Sequence, residues 1–286
     1  MSRAARTDPR RYWTERLRRF VPQFLASHES LAPLRGSATV LLYGSTTMGV
    51  DDPFSDLDMW LLLPVAALAE LDRASRTRFF EIKLDGKAGH LSAEATPEFA
   101  QRLERCDMDL IYQLRKASVI QDGQHAAPGL IRAARRPMRP QVSRALFFFH
   151  YVEMRSEHRA CDNPIARGDP AALLLSLPKV VAHALRAAMV LDAQPYPYDK
   201  WLCRAAAETP TGRSLAPHVD ALLDSLAADA LRQTGSVADH PVTTELMAVR
   251  QKLVQAARAK GWDEPWLAAW WLFMDQARGA VEGLRW

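Results

Sequence analysis

Tyr43-Gly44-Ser45 closes one apolar run, Ala38-Thr39-Val40-Leu41-Leu42, and ten positions after Ser45 the segment Ser55-Asp56-Leu57-Asp58 opens another, Met59-Trp60-Leu61-Leu62-Leu63. Both runs are rich in strand-forming residues and are bounded by Gly, Ser, Asp and Pro, so the stretch reads as strand, turn, strand. Along an extended chain residues i and i+2 share a face. Asp56 and Asp58 therefore project side by side, and Leu57 points into a core. Asp51-Asp52-Pro53-Phe54-Ser55 is the polar turn that leads into the second strand.

Two carboxylates this close are hard anionic ligands of the kind Mg²⁺ accepts, together with phosphate oxygens and waters. Gly44 has no Cβ to block a phosphate, Ser45 adds a hydroxyl, and Thr46-Thr47-Met48 can begin a short helix whose start favours anions. The pattern points to a polyphosphate held with its metal ions.

The order apolar strand, Gly-Ser, spacer, Asp-x-Asp resembles the signature of the DNA-polymerase-β-like nucleotidyltransferase superfamily. That resemblance implies an α+β chain, a small mixed-sheet catalytic domain followed by an all-helical domain. It gives Gly44 and Ser45 the nucleotide phosphates and Asp56 and Asp58 the divalent metal, Mg²⁺ or Mn²⁺. It also implies a third acidic residue on a neighbouring strand. Phe79-Phe80-Glu81-Ile82-Lys83-Leu84, the turn Asp85-Gly86 and His90-Leu91-Ser92-Ala93-Glu94-Ala95 read as a hairpin that offers two candidates. Glu94 is the first choice as third ligand and general base, since its distance from Asp58 resembles that of the base glutamate in aminoglycoside nucleotidyltransferases. Glu81 is the competitor. Thr96-Pro97-Glu98 then starts a helix.

Outside this region the chain changes character. Pro9 to Leu31 forms an amphipathic helical segment, with Trp13, Leu17, Phe20, Phe24 and Leu25 along a stripe and Pro22 placed to kink or divide it. From Arg144 onward long helices follow one another, which puts the domains at residues 1–135 and 136–286. Ser143 to Val152 opens an apolar helix, Asn163-Pro164 breaks it, and Asp169-Pro170 caps the next. The loop Tyr196-Pro197-Tyr198-Asp199-Lys200-Trp201-Leu202 is similar to one in helical domains attached to some bacterial nucleotidyltransferases. Lys179 and Lys200, compact charges on flexible stems, are candidates to reach the triphosphate from the helical side, and Tyr198 to stack on a base or donate to an acceptor. Trp266, Trp270 and Phe273 recur at helical spacing and are read as core.

Composition fits a soluble enzyme. Of 286 residues 48% are hydrophobic and 24% charged, which excludes a disordered chain. No run looks long enough to span a membrane, and the first residues lack the apolar core of a signal peptide. Cys106, Cys161 and Cys203 are scattered and odd in number, which suggests a reducing compartment, the cytoplasm, and no zinc site. The histidines His90, His125, His150, His158 and His183 have no cysteine partner at metal spacing and are not read as ligands. A net charge of +4 suits an anionic ligand without establishing nucleic-acid binding. The basic run Arg132 to Arg139 is read first as a solvated face and second as a guide for RNA.

The reading that follows is transfer of a nucleoside monophosphate from a nucleoside triphosphate to a hydroxyl of a small acceptor, with an aminoglycoside-like antibiotic as one precedent. Asp107, Asp109, Asp122 and Glu153 are acids that a cationic acceptor would favour. The same fold acting on tRNA or protein, or a nucleotide-binding module without catalysis, are the alternatives.

Overall fold

The computed structural model describes residues 8–227 and 236–285. In order, the first half carries α1 (Pro9–Ser27), β1 (Thr39–Tyr43), α2 (Ser45–Met48), β2 (Leu57–Leu63), α3 (Val65–Ala74), β3 (Phe79–Leu84), β4 (Lys87–Ala95), α4 (Thr96–Glu104), α5 (Met108–Lys116), β5 (Ser118–Asp122) and α6 (Ala127–Ala134). The second carries α7 (Pro140–Ala160), α8 (Asp162–Arg167), α9 (Pro170–Leu191), α10 (Asp199–Ala207), α11 (Pro210–Ala227), α12 (Pro241–Ala259) and α13 (Met274–Ala280). The chain divides into units Met1–Arg136 and Pro137–Trp286. The fold class is α+β, a mixed sheet with its helices followed, among the described residues, by helices alone.

The sheet of the first unit has the order β3-β4-β2-β1-β5. Only β2 and β4 run parallel; the other neighbours are antiparallel. Both faces are covered, so the central strands read as near-continuous apolar runs. Val40, Leu42, Leu57, Met59, Leu61 and Leu63 face α1 and α3, against Leu17, Val21, Leu25, Leu68 and Leu71. Leu41, Trp60 and Leu62 face α4, α5 and α6, against Phe99, Leu110, Leu114 and Leu130.

Three local expectations change. The helix α1 runs through Pro22 undivided. The lost backbone bond is offset by a stripe in which Leu17, Val21 and Leu25 are almost wholly buried. The return strand of the hairpin starts at Lys87, three residues before His90. Trp266 and Trp270 are buried as core residues, but in two separate 3-10 turns, Pro265–Leu267 and Trp270–Leu272, not along one helix.

In the second unit α9 packs against α7, α10, α11 and α12. Asp169 caps α9 by accepting from the Ala172 amide at 3.1 Å. The absence of a membrane-length run is corrected here: α9, with 22 residues and a mean hydropathy of 1.5, is long and apolar enough by length and composition to cross a membrane. Half of that stretch is buried within the protein, as in the core helix of a bundle.

Candidate functional site

The Gly44 turn is built around one close approach. Gly44 has φ +80° and ψ −156°, a conformation that a side chain strains. A Cβ placed there would lie 2.5 Å from Oδ2 of Asp58 and 3.3 Å from its Cγ. The position takes glycine for both reasons, and the space a side chain would fill holds a carboxylate. The chain then folds directly into α2, with the Gly44 carbonyl accepting from the Thr47 and Met48 amides at 3.1 Å each. Ser45 begins that turn and is buried.

Asp58 stands opposite Tyr43 on β1. The alternation expected of the strand is present: Leu57 is fully buried, Asp58 is partly exposed, and Asp56, just before β2, is exposed. The loop before it is tied down. Thr46 Oγ1 donates to Asp51 at 3.1 Å, and Lys87 pairs with the same carboxylate. Asp52 accepts from the Phe54 amide at 2.9 Å and from Ser55 Oγ at 2.8 Å. These bonds fix where the chain enters β2 and hence where Asp56 begins. Beside the carboxylates Tyr43 stacks on Trp60 at 3.8 Å between ring centroids, and Trp60 meets Phe99 edge-on at 5.1 Å.

Gly44, Ser45, Asp56 and Asp58 therefore belong to one turn-and-strand unit, and the Gly44–Asp58 contact is direct. Glu94 is not brought to them. The parallel register pairs Asp58 with His90 and Leu62 with Glu94, so Glu94 lies four residues up the strand, about 13 Å from the level of Asp58. Its carboxylate pairs with Arg102 at 2.8 Å, and Arg102 also holds Asp107 at 2.9 Å. Glu81 is exposed on β3 opposite His90, on the same row but two strands from Asp58.

The residue beside Asp58 is one that sequence reasoning set aside. His90 Nδ1 lies 3.4 Å from Asp58 Oδ1, and its ring stacks on Phe79 at 4.4 Å. A signal for it was present in Gly89. A Cβ at Gly89 would come within 2.5 Å of the Leu57 carbonyl oxygen, and glycine inside a strand marks such a close backbone approach. That contact fixes β4 on β2 with His90 next to Asp58.

The remaining candidates lie in the second unit. Lys179 on α9 is 60% exposed and 3.5 Å from Glu157. Lys200 lies 5.0 Å over the Trp201 ring, and Tyr198 accepts from Trp201 Nε1 at 3.0 Å. The acids considered for a cationic acceptor all have partners within their own unit. Asp107 caps α5, Asp109 accepts from Gln113, Asp122 accepts from Thr39 Oγ1, and Glu153 pairs with Arg278. Arg132, Arg135, Arg136 and Arg139 are exposed, as a solvated face requires. Buried His150 contacts His183 at 3.0 Å and the Tyr196 hydroxyl at 2.7 Å, so it has no room for an ion.

Among the described residues, no three His, Cys, Asp or Glu side chains are gathered tightly enough to hold an ion alone. The donor set at the Gly44 turn still fits a hard divalent cation that arrives with a polyphosphate. One carboxylate lies over a Cβ-free turn, a second, exposed one stands two residues before it, and phosphates would supply the remaining oxygens.

No protein-family model matches the chain. No curated protein matches it either. Among solved structures, it is similar to a nucleotidyltransferase-like protein from Exiguobacterium sibiricum 255-15, with 9% identity, 94% of this chain and 89% of that chain covered, and a TM-score of 0.47. At that level the likeness assigns no residue and no activity to this chain.

Proposed function

We propose that this protein transfers a nucleoside monophosphate from a nucleoside triphosphate to an acceptor hydroxyl and releases pyrophosphate. The observation that carries the reading is the Asp58 carboxylate lying where a Gly44 side chain would be, with the exposed Asp56 two residues earlier in the chain. Gly44 and Ser45 would take the triphosphate, and Asp56 and Asp58 the divalent cation, Mg²⁺ or Mn²⁺. When bound, the cation would neutralise charge on the attacking and leaving oxygens. The chain's own part is positioning: a turn that admits phosphate, and carboxylates that fix one face of it. Lys179, Lys200 and Tyr198 are carried in this reading as candidates for the triphosphate or its base on their side-chain chemistry alone. We place the enzyme in the cytoplasm, where its three free cysteines would stay reduced.

A small hydroxylated molecule, aminoglycoside-like in one case, is the acceptor we favour. The exposed arginines at 132, 135, 136 and 139 support RNA as the second reading. Transfer of labelled nucleotide to tRNA separates the two.

The test is a thermal-shift panel of the four nucleoside triphosphates with and without Mg²⁺ or Mn²⁺. Ligand that binds the native state raises apparent stability. A metal-dependent shift with one triphosphate is expected, and it should vanish in the Asp56→Asn/Asp58→Asn double variant. An equal shift in the double variant removes the site. A shift without pyrophosphate release across an acceptor screen leaves a binding module.

A further inference from the structure

The sheet carries a row of four side chains on one face, Tyr43, Asp58, His90 and Glu81, one from each of β1, β2, β4 and β3. Adjacent strands lie about 4.8 Å apart, so the nearest β4 side chain to Asp58 is His90, and no carboxylate occupies that place. The ring is neither a satisfied core histidine nor a loose surface one. It is 21% exposed, stacked on Phe79, and its Nδ1 is 3.4 Å from Asp58 Oδ1. Two adjacent ligands on bonds of about 2.0–2.2 Å to one ion stand roughly 3–3.5 Å apart. The Asp58–His90 pair already has that spacing.

We propose that His90 is a nitrogen ligand, beside Asp58, of the cation that arrives with the polyphosphate, and that the site for this reason takes Mn²⁺ or another first-row transition ion in preference to Mg²⁺. The inference rests on the proposed metal role of the two aspartates. Imidazole nitrogen suits transition ions, whereas Mg²⁺ keeps to carboxylate, phosphate and water oxygens. Glu94 does not compete for the place, being four residues up the strand and paired with Arg102. Glu81 stands beyond His90 on the row, where it can face the ring from the other side.

The test is pulsed electron paramagnetic resonance on the full chain carrying ¹⁵N-histidine, with Mn²⁺ and a mixture of the four α,β-methylene nucleoside triphosphates. A ¹⁵N coupling to Mn²⁺ is expected in the wild type and its loss in His90→Asp. Competition titration of the same samples should show the Mn²⁺ over Mg²⁺ preference falling by about tenfold in His90→Asp. Bound Mn²⁺ without ¹⁵N coupling in the wild type overturns the inference and makes His90 a group that only orients Asp58. Coupling that survives in His90→Asp overturns it as well. The wild-type spectrum decides the point even if that variant fails to fold. Mn²⁺ binding that is unchanged in Asp56→Asn/Asp58→Asn is the separate result that removes the metal site itself.

Discussion

His90 and His150 show two uses of one residue type. His90 stands on β4 within the sheet, between β2 and β3, part-exposed and beside the Asp58 carboxylate. His150 lies fully buried in the helical unit, where both ring nitrogens have partners in His183 and Tyr196. Burial, then the neighbouring His183 and Arg186, hold the His150 ring well below the ordinary histidine value. A buried polar group survives in a core when its bonding capacity is filled, and a filled group has nothing left for a ligand. The region around Gly44, Asp56, Asp58 and His90 has the opposite design. Its polar atoms are fixed by backbone geometry and partly open to solvent, so a ligand can complete them.

The largest effect that sharpens this contrast is expected at Asp58 on the central strand. Asp58→Asn should lower metal-dependent nucleotide transfer by at least about a thousandfold, with the melting temperature little changed. Turnover near wild type would put the chemistry elsewhere. In the helical unit the order reverses. His150→Ala removes two buried hydrogen bonds and leaves a cavity, so it should cost about 3 kcal/mol of stability by urea unfolding while nucleotide-induced shifts persist. A normal unfolding midpoint would mean that the His150 cluster is not structural.

Gly44→Ala should strain the backbone and displace Asp58, costing about 1–2 kcal/mol and the metal-dependent shift together. Retention of both would remove the close approach as the reason for glycine. A pH series tests the buried side of the contrast. Burial, then nearby Arg186 for His183 and Arg155 for His158, lowers both rings from 6.5 to about 4. Between those values the unfolded chain binds protons that the folded one does not. This contribution is fully present above pH 6.5 and is lost as the pH falls toward 4. Melts of the full chain should shift downward across that window, and a flat midpoint would contradict it. The smallest effect belongs to Glu94→Gln, which weakens the pair with Arg102 by about 1 kcal/mol or less. If it slowed transfer as strongly as Asp58→Asn, the register argument against Glu94 at the site would fail.

Much of the fold was legible because its signals are local. The Thr39–Tyr43 and Leu57–Leu63 runs, the Asp85-Gly86 hairpin turn and the Asp169 cap each follow from a few adjacent residues. The strand β5 had no comparable signal. It is five residues long, two of them polar at its end, and it becomes a strand by pairing with β1. Pro22 also misled, because a proline's local cost was outweighed by packing it cannot report.

The sequence by itself determined that Leu57 turns inward and Asp58 does not follow it, since a strand's alternation needs no partner. It also determined that the turn before them is glycine followed by serine. Only the tertiary structure decided which β4 side chain meets Asp58. A parallel partner reached through α3 and β3 is set in register by burial of Leu91, Ala93 and Ala95 with Met59, Leu61 and Leu63, and by the Gly89 contact with Leu57. Register of that kind is a property of the assembled core, because a shift along β4 would change every pair at once, and it placed a histidine where the spacing of acids along the chain suggested a glutamate.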